Sequence, residues 1–208
     1  MRKRLGMAFA ILLLLILAGC GNDHHSSTFS TQILSTLAND GDIELTPGNT
    51  FVVTQPPSGN QFIRAGFAGP TDEFRAFLDF NLTGAGGVPG SAIIDSATLD
   101  IFIDALSPSS TGSVPIFIDL LNFPPNPLLA SDFSTAPVLR KNSFVAQSDV
   151  GFNVRFDVTQ LMQQAQLGQF PRFQVCISQD PTAVADGLVQ IHEGTLSSLA
   201  PELKVVYH

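Results

Sequence analysis

The chain has 208 residues, 44% of them hydrophobic and 13% charged, enough apolar content for one packed domain. Ten Lys and Arg stand against 18 Asp and Glu, a net charge of −8. Phosphate recognition needs clustered cations, so this balance argues against nucleic acid as a partner.

Arg2, Lys3 and Arg4 open the chain, an apolar run from Met7 to Leu17 follows, and Ala18-Gly19-Cys20 closes it. A basic start, a short apolar middle and small residues at a cut site are the three parts of an export signal. The run is shorter than the about 20 residues that cross a hydrocarbon core. Leu17-Ala18-Gly19-Cys20 resembles the lipobox of bacterial lipoproteins. That resemblance implies cleavage before Cys20, a diacylglycerol on its sulfur and an acyl chain on the new amine. One acyl chain anchors only marginally, whereas several hold a protein on a bilayer. A membrane is therefore an expected partner, through Cys20. Asp after the cysteine retains such proteins at the inner membrane in the enterobacterial sorting scheme; Gly21 stands there instead, which points to the outer membrane of a bacterial cell envelope.

Residues 20–36, rich in Ser and Thr, read as a lipidated tether, and residues 37–208 as a folded domain. His24-His25 beside Asp23 reads as solvated linker rather than a metal site. In the stretch 39–44, Asn39, Asp40, Asp42 and Glu44 pack oxygen ligands closely, without EF-hand spacing. They are the candidate ligands of a structural calcium, the one cofactor the sequence suggests.

Beyond this stretch the hydrophobic pattern has period two. Strands are predicted at 51–54, 61–66 and 74–80, separated by Pro56-Pro57-Ser58-Gly59-Asn60 and followed by the breaker 84–90. In the third, Phe74, Ala76, Leu78 and Phe80 share a face, with Arg75, Phe77 and Asp79 opposite. Ala97, Leu99, Ile101 and Ile103 point inward from the next strand, with Thr98, Asp100 and Asp104 outward, and 114–121 repeats the theme. A single helix is predicted from Asp157, as N-cap with Gln160 completing a capping box, to Gly168. Val158, Leu161, Met162 and Ala165 form its apolar stripe, which should cover one end of the domain. Closing strands follow at 173–178, 188–192 and 202–207, two of them preceded by Pro171 and Pro201. Short alternating strands with one helix predict an all-β fold, an antiparallel β-sandwich with a short helix near 157–167. The 17 Phe, one Tyr and no Trp suit a core better than a wet recognition surface.

Three segments resemble DNRLRE-type domains, a jelly-roll sandwich related to carbohydrate-binding module family 96. They are the strand 74–82, the turn and strand 88–99 with Pro89-Gly90 and Ala97-Thr98-Leu99, and an ending of Asp157-Val158-Thr159 followed by 200–207. The resemblance implies a non-catalytic module of secreted bacterial proteins, some of which bind polysaccharide. The matched positions are structural: Pro89-Gly90 turns the chain, Ala97 and Leu99 fill the core, and Arg75 is expected to pair with an acid across the sheet. Tyr207 is the one ring of the kind that stacks on a sugar face.

Reaction machinery is sparse. His192 is the interior histidine, with no Gly-x-Ser-x-Gly elbow beside it. Cys176 has no partner once Cys20 is acylated, and reads as a quiet strand residue. The expected function is a lipid-anchored, cell-surface binding module for polysaccharide or another matrix component. The alternatives are an assembly protein docking onto envelope or extracellular proteins and, behind it, a polysaccharide-acting enzyme using paired acids.

Overall fold

A computed structural model describes residues 27–55, 61–69, 71–107, 112–124, 127–183, 185–194 and 198–208. Cys20, the export signal and His24-His25 lie outside the described residues. In chain order the elements are β1 (Phe29–Leu34), β2 (Gly41–Leu45), β3 (Phe51–Thr54), β4 (Phe62–Gly69), β5 (Asp72–Asn81), β6 (Ile94–Ser107) and β7 (Ser113–Leu121). Then come β8 (Leu139–Ala146), β9 (Asn153–Asp157), the helix α1 (Thr159–Leu167), β10 (Arg172–Gln179), β11 (Leu188–His192) and β12 (Glu202–Tyr207). Every pairing between these strands is antiparallel. The fold is all-β, a curled antiparallel sheet folded into a jelly-roll-like sandwich.

The strand order is β1-β12-β6-β11-β4-β5-β10-β7-β8, with β9 beside β6, β2 beside β5 and β3 beside β2. β6 turns the sheet from one layer into the other. Its first half pairs with β12 and β9, and its second half with β11. Alternation along 14 residues makes this work: Ala97, Leu99, Ile101 and Ile103 are all buried in the main core. Facing them are Ala76, Leu78 and Phe80 of β5 and Phe173, Val175 and Ile177 of β10. Val158, Leu161, Met162 and Ala165 add the stripe of α1, which packs on β6, β8 and β10.

A second, smaller core lies on the other face of β5 and β10. Phe77 and Cys176, directly paired, pack there with Ile43 of β2, Leu121, Leu128 and Phe133. The β2–β3 hairpin is the lid that covers it. Three buried rings are capped by arginines: Arg64, Arg75 and Arg140 lie about 4 Å over Phe74, Phe133 and Phe117. Gly66 sits at φ +115 with the Gly187 carbonyl against its Cα, a place where no side chain fits.

Four expectations change. Residues 29–34, read as tether, form β1 against β12 with Ile33 buried; the alternation Phe29, Thr31, Ile33 is masked by its polar members. Strand β2 occupies most of the expected calcium loop. β8 and β9 escaped the sequence reading because most of their side chains meet solvent. The helix begins one residue late, with Val158 as N-cap and no side-chain cap. Asp157 is held extended at the end of β9, and its carboxylate accepts from the Thr159 N–H at 3.0 Å and from the Thr159 hydroxyl. Those bonds hold the Asp157 carboxyl below its ordinary value.

Candidate functional site

Strand β2 begins at Gly41, so Asn39 and Asp40 precede it while Asp42 and Glu44 lie within it, and each of the four has its own surroundings. Asn39 donates to the Asp79 carboxylate. Asp42, fully buried, receives the Arg64 N–H at 3.0 Å and the Arg64 guanidinium at 3.2 and 3.3 Å. Glu44 is half-buried, opposite Val52 and Phe74. Among the described residues no group of three or more His, Cys, Asp or Glu side chains is placed to hold a metal.

Asp40 has the least ordinary surroundings. It is fully buried, and its Oδ1 accepts from the Asp79 N–H at 2.7 Å. Its side chain also meets Glu193, which is 3% exposed and follows directly on β11. Asp40 Oδ2 and Glu193 Oε2 have no donor between them, so a hydrogen bond joining the two carboxyls requires a proton on one. Burial, reinforced at Asp40 by the Glu193 charge, raises the Asp40 carboxyl well above its usual value, and burial pushes Glu193 up to about 7. The Ser35 hydroxyl bonds to both and works the other way. Both carboxyls are thus biased toward their protonated forms. Beside it Asp79, 1% exposed, is clamped by Arg172 Nε at 2.6 and 2.8 Å, and Arg172 Nη2 also donates to Thr36 Oγ1 at 3.0 Å. These groups tie the chain entering β2 to the sheet.

The remaining sequence candidates are also built into the framework. His192 Nδ1 lies 3.1 Å from Asp104 Oδ2, its ring stands edge-on to Phe102, and its buried Nε2 has no hydrogen-bond partner among the described residues. Burial pushes the Cys176 thiol up to about 12, so it stays protonated and unreactive at neutral pH. Arg75 finds its acid along its own strand, not across the sheet: Nε donates to Glu73 at 2.7 Å and Nη1 to the Phe133 carbonyl at 2.7 Å. Tyr207 is stacked on Phe29 with ring centroids 5.9 Å apart and is packed against the core. One face of that ring is therefore covered.

Open polar surface is concentrated instead on the outer face of β1, β12, β6 and β9. Register sets Gln32, Lys204 and Thr98 in one row, and Glu202, Asp100 and Arg155 in the next. With Ser96 and Val206 they line a shallow groove of about 260 Å³. Arg155 Nε donates to Asp100 Oδ2 at 3.0 Å while its side chain is 78% exposed. An exposed pair of this kind is worth at most about 1 kcal/mol, so either partner can turn to a ligand. The groove offers donors and acceptors of both charges within two strand rows. Sequence reasoning passed over Gln32, Lys204, Glu202 and Arg155; the signal was there in the outward positions of alternating strands, but a solvated face and a binding face share that pattern. No protein-family model matches this chain, and no curated protein matches it.

Proposed function

We propose that this chain is a non-catalytic, lipid-anchored lipoprotein of the bacterial cell envelope whose sandwich binds polysaccharide or another matrix component. The groove on β1, β12, β6 and β9 carries the reading: an open strip of amide, hydroxyl, carboxylate and cationic groups suits a hydroxyl-rich chain held by hydrogen bonds. The lipobox-like segment 17–20 supports the anchor, and the jelly-roll-like fold agrees with the resemblance to DNRLRE-type domains. Among the described residues Asp40 with Glu193, His192 with Asp104 and His208 with Asp95 lie outside the groove, and of the groove's own acids Asp100 is paired with Arg155, which supports a non-catalytic reading.

Binding is tested on a glycan array and by pull-down from purified cell-wall and exopolysaccharide fractions. The expected result is retention by one polysaccharide class, lost in a Gln32→Ala, Arg155→Ala, Lys204→Ala variant that folds normally. Uniform silence of the wild-type chain overturns the reading. The assembly role is the second reading, favoured by the covered ring of Tyr207, which leaves the groove without a sugar-stacking platform. Crosslinking in cells that recovers one defined envelope protein through Arg155 or Lys204 decides for it.

A further inference from the structure

We infer that the end of the sandwich formed by the start of β1, the start of β6 and the last turn of α1 rests on the surface of the lipid bilayer. This deepens the anchored reading above and rests on acylation at Cys20. Two adjoining grooves, of about 550 and 520 Å³, open at this end and share Gly90, Gln166 and Gln169. No charged residue lines either of them, in a chain of net charge −8. Leu167 and Ile93 stand at the rim, 80% and 62% exposed. Asp95, next in sequence to Ile94, is bonded to His208 at 2.9 Å. Apolar groups without ions are what an interface can take in without desolvating a charge.

The connection to Cys20 selects the lipid surface as occupant. Phe29, 55% exposed, pairs with Tyr207, which pairs with Ile94. The first residue of β1 is therefore two strands from Ile94, about 10 Å. Nine residues separate Phe29 from Cys20, and an extended chain covers at most about 3.6 Å per residue. The acylated residue thus stays within about 30 Å of this end. The opposite end supplies a matched control. β10 starts beside Pro171, which lines the first groove, and ends at Gln179, paired with Ile116 next to Pro115 and Phe144. Phe144 is 62% exposed, as Ile93 is.

The test uses the full acylated chain in phosphatidylcholine vesicles. Leu167→Cys, Ile93→Cys and Phe144→Cys variants carry an environment-sensitive fluorophore; buried Cys176 stays unlabelled. The expected result is a blue shift and loss of emission with brominated lipid at positions 167 and 93, and neither at 144. All three positions behaving alike on chains that float with the vesicles overturns the inference and leaves the anchor standing. Chains that fail to float, with no acyl mass on Cys20, overturn the anchor and the inference with it. Labels at 167 and 93 that are shielded from iodide but indifferent to brominated lipid, with a dimer on crosslinking, assign this end to a second copy and overturn the inference.

Discussion

Asp40 and Glu193 meet where both are buried, and this gives the folded chain a pH dependence of definite sign. Both carboxyls are raised by burial, so the folded state keeps protons that the unfolded chain releases above about pH 4. Stability is then fullest in mild acid and falls as pH rises toward the Glu193 value of about 7. The loss over that interval is on the order of 3 kcal/mol. Urea midpoints at about pH 5 and pH 8 should show the fall, and Glu193→Gln, which keeps a hydrogen-bonding group without the acid, should flatten it. Asp79 is one half of an ion pair made inside the protein. Asp79→Ala strands the Arg172 guanidinium, and breaking a buried pair costs about 3–5 kcal/mol, readable as a lower urea midpoint. Neither role was legible in the sequence. Asp79 and Asp119 occupy outward strand positions, where a solvated acid is the ordinary reading. That face is covered by Arg172, by Arg140 and by a hairpin that arrives from elsewhere in the chain.

Elements were legible in proportion to how much of each side chain row is buried. β5, β6, β7 and β10 show their inward residues as plain alternation, and α1 shows its stripe at helical spacing. β8 hides because Arg140, Asn142 and Phe144 are turned to solvent, and β2 hides because two aspartates at its start resemble a ligand loop. Phe77 breaks the expected polar face of β5 for the same reason that β2 exists: a second core needs an anchor there. The pairing of β4 with β11 depends on Gly66, whose φ of +115 and contact with the Gly187 carbonyl leave no room for a Cβ. Gly66→Ala should destabilise by about 1–3 kcal/mol or more, measured by thermal melting, with the β4 amides losing protection from hydrogen exchange first.

Across the whole molecule, the candidate groove was the least legible feature, since it is made by register between four strands distant in sequence. β6 holds both layers, β12 sits between β6 and β1, and Leu203 and Val205 of β12 are fully buried. Deleting residues 202–208 should therefore abolish the cooperative unfolding transition altogether, rather than fray one edge, as followed by circular dichroism. A ribosome still short of those residues holds an equivalent of that deletion. Residue 29 finds its partner only when residue 207 is available, so the β1 edge of the sheet closes last, long after the β7–β8 edge has its residues.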